Sequence, residues 1–290
     1  MPSETLCLGF VGPGTVGTAL ARSLASAGYP VVSIFGRNAE RLGRTVESVR
    51  GARAAESAQA VVDAADVIFL TVPDDAIRPL ADDLAWRPGK TAVHCSGAAS
   101  LDLLETARQQ GAEVGAFHPL QTLASLEQAM RNLPGSAVAI EASDPTLEEA
   151  LAQMAWALGG RPFLLHGDKA LYHASAVLAC NYLVTLLDAA AGLWAEIGFT
   201  KEEGLKALLP LVRGTIENLD AIGLPSALTG PVSRGDVGTI NRNIAALSEH
   251  DPKTAALYVE LARRTIPIAR AKGTLSETAE KRLQEYLEGR

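Results

Sequence analysis

Short runs of apolar residues alternate with longer segments of helical periodicity through the first half of the chain. Each run has the length and the enrichment in β-branched and aromatic residues that are typical of a buried strand. Strands that alternate with helices build a parallel sheet with helices on both faces. The pattern therefore predicts an α/β fold over residues 1–167, with a doubly wound parallel sheet. The predicted strands are Leu6–Val11, Pro30–Phe35, Asp66–Val72, Thr91–Cys95, Glu113–Phe117, Ser136–Ile140 and Arg161–Leu165.

The pattern changes after His166-Gly167-Asp168, and from there to residue 290 only helical periodicity recurs. Lys169–Ile197 is predicted to be one long helix, which Asp168 caps and Gly198 ends. Residues 168–290 are therefore predicted to form an all-helical second domain. Its further predicted helices are one from the capping box Thr200–Glu203 to about Asp220, then Asp236–Leu247, Asp251–Ala271 and Thr274–Leu287.

The long predicted helix is apolar around most of its circumference. Such a helix is expected to be buried on all sides, in a protein or in a membrane. His173, Asn181 and Asp188 interrupt the apolar stretch, which favours a buried helix over a membrane span. The other predicted helices of the second domain are too few to cover this helix on all sides. We therefore predict a homodimer in which the helix packs against a second copy of the chain across a two-fold axis. A compact monomeric helical domain is the alternative.

A glycine-rich segment at residues 12–17 lies between the first predicted strand and an amphipathic helix. It fits the G-x-G-x-x-G pattern in the strand–turn–helix context that gives the pattern its meaning. Gly12 permits the tight turn, Gly14 lets the backbone approach a pyrophosphate, and Gly17 lets helix and strand pack closely. The N-terminus of the helix offers free N–H groups to the anion. The segment predicts dinucleotide binding, and a glycine-rich turn without a ligand is the alternative.

The residue that follows the second strand indicates which dinucleotide binds. NAD-binding folds place a carboxylate about twenty residues beyond the glycines, whereas the second strand here ends in Gly36-Arg37. The guanidinium of Arg37, with Arg41 nearby, suits the 2′-phosphate of NADP, and a solvated helix face is the alternative. The predicted cofactor is therefore NADP. The predicted cofactor-binding residues are Gly12, Pro13, Gly14, Thr15, Val16, Gly17, Arg37, Arg41, Val72, Pro73 and Ser96.

Three side chains are candidates for proton transfer. Lys169 and His173 lie four residues apart in the first turns of the long helix, so their side chains share a face. His118 follows another predicted strand. Hydride addition to a carbonyl builds alkoxide charge that a lysine or a histidine can stabilise and protonate. We therefore predict Lys169, His173 and His118 as catalytic. An exposed helix-end lysine, a buried structural histidine and a loop-anchoring histidine are the alternatives.

Four polar residues are predicted to contact the substrate. Ser96 and Gln121 follow the carboxyl ends of two predicted strands, where ligands of doubly wound sheets bind. Asn181 lies about two turns further along the helix face that carries the catalytic candidates. Arg234, in a loop of small residues, could clamp a carboxylate in bidentate fashion. Asp236 could instead pair with Arg234, or it could cap the next helix.

Composition narrows the classes of function further. The net charge of −7 and the isoelectric point of 5.3 argue against a nucleic acid or an anionic membrane as partner. Cys7, Cys95 and Cys180 stand apart inside apolar segments, so we predict buried thiols and no metal site or redox pair. No signal peptide precedes the first predicted strand, which favours a soluble cytoplasmic protein. The expected partner is a small-molecule substrate.

Several segments together resemble those of bacterial Rossmann-like proteins that carry a helical C-terminal domain of unknown function. The resemblance implies a Rossmann fold similar to alternative ketopantoate reductases and to the 6-phosphogluconate and 3-hydroxyacid dehydrogenases. It also implies a catalytic role for Lys169. Ketopantoate reductases have asparagine four residues after this lysine, where His173 stands here. The segments are Gly12–Gly17, Cys95–Gly97, His118–Gln121, Tyr172–His173, Asn181–Tyr182, Thr229–Pro231 and Arg234–Asp236.

These observations predict an NADP-dependent oxidoreductase that transfers hydride between NADPH and a small 2-oxo acid similar to ketopantoate. Two alternatives stay open: a non-catalytic regulator that binds NADP(H), and a dehydrogenase of the prephenate or pyrroline-carboxylate type. The candidate acids favour an enzyme, because a sensor needs no proton donor. The sequence leaves open the substrate, the direction of reaction, a deazaflavin donor and the choice among the three candidate acids.

Overall fold

The computed structural model describes residues 6–289, in two compact units that meet in sequence between Cys180 and Asn181. The predicted domain junction lies earlier, after residue 167. The difference arises because the first turns of the long helix bond to the sheet of the first unit, through Lys169 and Tyr172. The predicted absence of a signal peptide concerns residues 1–5 and lies outside the described residues.

The first unit is built on one eight-stranded sheet with the order β3-β2-β1-β4-β5-β6-β7-β8. The strands are β1 Leu8–Val11, β2 Val31–Phe35, β3 Arg53–Ala54, β4 Val67–Leu70, β5 Thr91–His94, β6 Glu113–Leu120, β7 Ala137–Ala142 and β8 Arg161–Leu164. β1 lies between β2 and β4 and is parallel to both. This order creates the crevice at the carboxyl end of β1 where doubly wound folds bind dinucleotides. The predicted α/β fold is confirmed.

The sheet is parallel except between β6 and β7, so the prediction of a wholly parallel sheet was wrong here. β6 continues through His118 to Leu120, where a strand end was expected at Phe117. Leu120 pairs with Ala137, so the chain leaves and re-enters the sheet at the same edge. The connection contains only the short helix Leu126–Asn132, which turns the chain back instead of carrying it across the sheet.

Helices cover both faces of this sheet and bury two apolar clusters. On one face Phe10 stacks on Phe69 with ring centroids 4.9 Å apart, and Phe69 meets Phe117 edge-on at 5.8 Å. Val11 and Leu70, the next residues along β1 and β4, point to the other face. Because both faces are buried, the strands are continuous apolar runs in the sequence. The helices are α1 Thr15–Ser26, α2 Ala39–Ser48, α3 Ala58–Ala64, α4 Asp74–Asp83, α5 Glu105–Gln109, α6 Leu126–Asn132 and α7 Pro145–Ala157.

The predicted long helix is present, with local irregularities. Asp168 caps it as predicted, because its Oδ1 accepts a hydrogen bond from the Ala170 N–H at 2.8 Å. Gly198 ends it in the left-handed conformation, with a φ of 89°. The stretch consists of α8 Lys169–Ala176, a π-helical turn at Val177–Asn181, α9 Tyr182–Gly192 and a 3-10 turn at Leu193–Ile197.

The expectation that this helix is buried on all sides was wrong for the single chain. Within Lys169–Ile197 only Lys169 and Ala191 are buried, whereas Leu171 is 71% exposed and Val184 is 67% exposed. The next helix, α10 Lys201–Ile222, packs against α9 but leaves much of the apolar surface open. Within residues 6–289 this is the one helical stretch that is long and apolar enough to cross a membrane, by length and composition.

The remaining helices of the second unit are α11 Val237–His250, α12 Pro252–Lys272 and α13 Glu277–Glu288. Ile240, Ile266 and Leu283 pack together in their core. The capping box that opens α10 has formed, since the Glu203 N–H donates to Thr200 Oγ1 at 3.2 Å and the Thr200 N–H donates to Glu203 Oε2 at 2.8 Å. The second unit is helical throughout, as predicted.

The prediction of three buried thiols was wrong for Cys180 and only partly right for Cys7 and Cys95. Cys7 and Cys95 are half-buried, but Cys180 is exposed. Cys180 lies in the π-helical turn, and its apolar neighbours in sequence belong to the open surface of the long helix, so they do not cover it. Burial raises the pKa of the Cys95 thiol to about 12, which keeps this thiol protonated and unreactive.

Candidate active site

The glycine turn after β1 is fixed by close backbone packing. The Thr71 hydroxyl donates to the Gly12 carbonyl at 2.7 Å, and the Gly14 N–H donates to the same carbonyl at 2.8 Å. Gly12 has a φ of 106°, which glycine adopts without strain. A Cβ on Gly17 would lie 2.3 Å from the Gly12 carbonyl oxygen. α1 therefore approaches β1 this closely only because glycine stands at position 17.

Gly14 faces open space at the N-terminus of α1. Within residues 6–289, apart from its neighbours in sequence, no heavy atom lies within 4 Å of a Cβ placed on Gly14, and no side chain caps the helix. The N–H groups of Thr15, Val16 and Gly17 therefore have no side-chain acceptor. Together with the positive end of the helix dipole, these groups suit an anion such as a pyrophosphate.

The end of β2 brings two arginines beside this turn. Pro13 is buried against the glycine that follows β2, where a Cβ would lie 2.3 Å from the proline ring. Arg37 follows that glycine and is exposed, as is Arg41 in the first turn of α2. Arg44 forms an ion pair with Glu40 at 3.5 Å, whereas Arg37 and Arg41 form none within residues 6–289. These two guanidinium groups can therefore bind a phosphate.

Two more predicted cofactor contacts follow β4. Val72 is half-buried, and its Cγ1 lies 3.0 Å from the position that a Cβ on Gly12 would take. Pro73 is exposed and precedes the first residue of α4. Both residues lie at the carboxyl edge that carries the glycine turn. Their contacts with a cofactor stay predictions.

Ser96 is buried in the loop after β5, and its hydroxyl is engaged by protein groups. It donates to Asp74 Oδ2 at 2.6 Å and accepts from the N–H groups of Ala98 and Ala99 at 3.3 and 3.1 Å. The serine therefore shapes the loop. A direct bond to cofactor or substrate, as predicted from the sequence, requires the hydroxyl to leave Asp74.

Lys169 is buried in an ion pair instead of lying free at the start of a helix. Its ammonium donates to Glu141 Oε2 at 2.9 Å and to the Ala99 carbonyl at 2.7 Å. The side chain of Lys169 is 8% exposed and that of Glu141 is 30% exposed. These bonds join the start of α8 to β7 and to the loop after β5. The alternative of an exposed helix-end lysine is thereby excluded.

His118 forms a close pair with Tyr172. Its Nδ1 lies 2.8 Å from the Tyr172 hydroxyl, and the two rings meet at 89° with centroids 5.7 Å apart. The imidazole lies over Gly97, where a Cβ would come within 2.6 Å of the ring. Burial lowers the pKa of His118 to about 4, and the charges of His173 and Lys169 lower it further towards that value. The imidazole is therefore neutral near pH 7.

The first turns of α8 present Lys169, Tyr172 and His173 on one face, at the i, i+3 and i+4 spacing of a helix. His173 is half-buried and lies close enough to His118 for its charge to lower that pKa. The structure thus brings the three predicted acids together near the carboxyl ends of β5 and β6. The shared face predicted for Lys169 and His173 is present.

Three polar groups of this cluster were not predicted. Tyr172 could have been found from its spacing of three residues from Lys169, whereas Glu141 is placed by the unexpected antiparallel pairing of β7.

The third of these groups, His94, is fully buried at the end of β5, inside an apolar run. Its Nδ1 accepts from the Ser96 N–H at 3.2 Å, and its Nε2 has no hydrogen-bond partner within residues 6–289. Burial, followed by the charge of Lys169, lowers the pKa of His94 to about 3.

Gln121 anchors the loop after β6. Its side-chain amide donates to the Asn132 carbonyl at 3.3 Å, and its Oε1 accepts from the Thr122 N–H at 2.8 Å. The residue is exposed, so these bonds leave part of the amide open to solvent. Its predicted contact with substrate stays a prediction.

Asn181 and Arg234 are both exposed and belong to the second unit. Asp236, for which two roles were predicted, caps α11, because its Oδ1 accepts from the Thr239 N–H at 2.9 Å. Arg234 forms no ion pair within the described part of the chain. The substrate contacts of Asn181 and Arg234 stay predictions.

Comparison with known proteins matches two parts of the chain to two family models. Residues 7–96 match the model described as NADP oxidoreductase, coenzyme F420-dependent. Residues 136–265 match a domain of unknown function. The first match contains the glycine turn, Arg37 and Ser96, and the second contains Glu141 and the residues of α8.

One curated relative and two solved structures illustrate the likeness. The 2-hydroxy-3-oxopropionate reductase of Escherichia coli (strain K12) is 34% identical over 112 residues, which are 35% of this chain and 36% of that protein. The match thus spans little more than a third of the relative's length. A Thermotoga maritima protein is 24% identical, with a TM-score of 0.74, over 91% of this chain and 99% of that one. A reductive aminase from Aspergillus terreus, in complex with NADPH and ethyl levulinate, is 20% identical, with a TM-score of 0.63, over 98% of this chain and 99% of that one. At these identities the two structures establish the fold.

Proposed function

We propose that the chain is an NADP oxidoreductase that uses NADPH to reduce the carbonyl group of a small oxo acid, since residues 7–96 match the NADP oxidoreductase model and residues 136–265 match a domain of unknown function. One observation carries the proposal: the open turn at Gly14 and the cluster of Lys169, His118 and Tyr172 lie at the same edge of one sheet. Ligands of doubly wound folds bind at this edge. The curated relative supports the substrate class, because its name refers to the reduction of 2-hydroxy-3-oxopropionate. A 2-oxo acid of the ketopantoate type is the substrate expected from the sequence.

The residues of the first unit fit NADPH, which supplies the hydride when it is bound. Gly12–Gly17 would hold the pyrophosphate at the N-terminus of α1, where the missing side chain of Gly14 leaves room for it. Arg37 and Arg41 would hold the 2′-phosphate, since both are exposed and neither forms an ion pair within residues 6–289. A guanidinium can bind such a phosphate in bidentate fashion.

Lys169, His118 and His173 act on the carbonyl oxygen, where the reduction develops negative charge. The Lys169 ammonium stabilises this charge with the one hydrogen that Glu141 and Ala99 do not use. His118 is neutral near pH 7 and donates the proton. His173, beside it on α8, completes the polar lining.

For the first unit, Ser96 and Gln121 are proposed as donors to the substrate, as predicted from the sequence. For the second unit, the substrate contacts predicted for Asn181 and Arg234 are kept as proposals about that unit by itself. Arg234 can bind a carboxylate through a charge-assisted pair. Arg234 is exposed and free of ion pairs within residues 6–289, which supports this assignment.

Oxidation of NADPH measured with a panel of oxo acids, including ketopantoate and 2-hydroxy-3-oxopropionate, tests the proposal. At least one small oxo acid is expected to be reduced with one NADPH consumed per hydroxy acid formed. Tight binding of NADPH without oxidation by any member of the panel would contradict the proposal and favour a non-catalytic regulator.

NADPH is expected to bind more tightly than NADH, and Arg37→Asp is expected to erase or reverse this preference. A carboxylate there repels the 2′-phosphate and accepts hydrogen bonds from the ribose hydroxyls of NADH. The lost charge-assisted bond corresponds to about 1.5–3 kcal/mol, or roughly 10- to 100-fold in Kd. Fluorescence titration with both cofactors measures the effect. Arg44→Asp is the matched control, because Arg44 already pairs with Glu40. Equal affinities in the unmutated protein would contradict the assignment.

We also propose that the chain forms a homodimer through the open apolar surface of α9 and α10. Within these two helices only Ala191 and Gly204 are buried. Val184, Leu211 and Ile216 are 67%, 68% and 52% exposed, which is unusual for a soluble monomer. Burial of such side chains contributes about 1.5–3 kcal/mol each. A second copy presents the same surface and can cover it across a two-fold axis.

Light scattering at micromolar concentration is expected to give twice the 30.4 kDa of one chain. Val184→Glu places a charge in the proposed interface and is expected to shift the mass to that of one chain. Gln284→Glu adds the same charge on α13 and is the control. A mass near 30.4 kDa for the unmutated protein would contradict the dimer. Cosedimentation with neutral lipid vesicles would instead assign the surface to a membrane.

A further inference from the structure

We propose that Tyr172 supplies the proton of the reduction and passes it through His118 to the carbonyl oxygen. The inference rests on the proposed function and adds a residue that the sequence did not assign to catalysis. The Tyr172 hydroxyl lies 2.8 Å from Nδ1 of His118. The Tyr172 ring is held between His118 and Phe163, with centroids 5.7 and 6.0 Å away. Both members of the pair lie on regular elements, His118 in β6 and Tyr172 in the first turn of α8.

A charged imidazole is too rare to be the direct donor. The pKa of His118 is about 4, because the ring is buried and because His173 and Lys169 oppose a further positive charge, while Asp74 offsets them only in part. At pH 7 roughly one His118 side chain in 1,000 would then be an imidazolium, with a proton on both ring nitrogens. A proton that reaches the carbonyl oxygen through His118 must therefore come from the neutral imidazole, which needs a second proton source behind it.

Tyr172 is that source. Burial raises the pKa of Tyr172 to about 12, so the phenol is protonated at neutral pH. A neutral imidazole has one acceptor nitrogen and one N–H. In the proposed pair the phenol donates to Nδ1, which places the imidazole proton on Nε2. Nε2 forms no hydrogen bond within the described residues. His118 thus offers an N–H to a ligand and receives a proton from Tyr172 on the other side of the ring.

The transfer balances in one concerted step. As the carbonyl carbon accepts the hydride that bound NADPH would supply, the π electron pair moves to the oxygen, and the oxygen takes the proton from Nε2 of His118. Nδ1 takes the Tyr172 proton at the same time, so the imidazole stays neutral and the phenol becomes a phenolate. Water then returns a proton to the phenolate. The step is favourable because an alkoxide is a stronger base than a phenolate whose pKa is about 12.

Tyr172→Phe is expected to lower kcat about 10²–10⁴-fold, with little change in KM or in NADPH affinity. Tyr258→Phe is the matched control, because it removes a hydroxyl that bonds to Asn243 in the second unit, and it is expected to keep full turnover. In the unmutated protein kcat is expected to stay level from neutral pH down towards the His118 pKa of about 4. A variant Tyr172→Phe that keeps more than half of kcat would overturn the relay. So would a kcat that falls above pH 6.5 as an ordinary imidazolium loses its proton.

Nitrogen NMR of the histidine side chains tests the pair without turnover. His118 is expected to show the Nε2–H tautomer, and Tyr172→Phe is expected to shift its Nδ1 signal by removing the hydrogen bond. Tyr258→Phe should leave the His118 signals unchanged, and His118→Asn identifies those signals. An Nδ1–H tautomer would overturn the relay even in an active enzyme. The expected tautomer without oxidation of NADPH by any oxo acid would instead contradict the proposed function, and the relay with it.

Discussion

Replacement of Lys169 by methionine is expected to lower kcat about 10²–10⁴-fold and to leave NADPH affinity nearly unchanged. Methionine keeps most of the buried stem, but it removes the ammonium that the proposed function places beside the carbonyl oxygen. Affinity is spared because the residues assigned to the cofactor, Gly12–Gly17 and Arg37, lie on other elements. Steady-state kinetics and cofactor titration of the same preparation give both quantities.

The same substitution also breaks a buried ion pair, and the two effects can be separated. Without the ammonium, the Glu141 carboxylate loses its partner, which costs about 1–3 kcal/mol of unfolding free energy. Lys169→Met combined with Glu141→Gln leaves a neutral pair and is expected to recover most of that loss. Turnover should stay low in the double variant. Recovery of turnover together with stability would show that Lys169 acts only by holding α8 on the sheet.

Gly14→Val is expected to weaken NADPH binding at least about 100-fold, or roughly 2.7 kcal/mol, while the melting temperature changes little. The backbone at Gly14 is extended, and within residues 6–289 no heavy atom other than those of its neighbours in sequence lies within 4 Å of a Cβ there, so the folded chain accepts a side chain. That side chain then fills the space proposed for the pyrophosphate. Isothermal titration with NADPH and thermal unfolding measure the two quantities.

Gly17→Ala is the contrasting variant in the same turn. Its Cβ would lie 2.3 Å from both the Gly12 carbonyl oxygen and Thr71 Oγ1, and a backbone oxygen cannot move aside cheaply. We expect a loss of about 1–3 kcal/mol of unfolding free energy. Unchanged NADPH affinity in Gly14→Val would contradict the proposed position of the pyrophosphate, whatever Gly17→Ala does.

Local sequence patterns predicted the elements whose causes are local. The strand–turn–helix at residues 8–26, the cap at Asp168, the capping box at Thr200 and the helix end at Gly198 are all present. Each depends on residues within a few positions of one another, so the chain alone contains the information. The shared face of Lys169 and His173 follows from helix periodicity in the same way.

The parts that the sequence did not predict depend on long-range pairing. Glu141 meets Lys169 only because β7 runs antiparallel to β6, and no local pattern specifies that direction. His94 looked like part of an apolar run, and its partners come from the loop after β5. The open surface around Val184 could not be inferred either, because burial depends on what surrounds a helix and not on its own periodicity.

Transfer of deuterium from C4 of labelled NADPH to the product tests the central claim most directly. The measurement uses the purified full chain, the oxo acid that is reduced fastest, and mass spectrometry of the hydroxy acid. If the protein reduces a carbonyl by hydride transfer, the carbon that bore the carbonyl oxygen will carry one deuterium, from only one of the two C4 positions. NADPH that binds with the predicted preference over NADH, but transfers no deuterium to any oxo acid, would contradict the account.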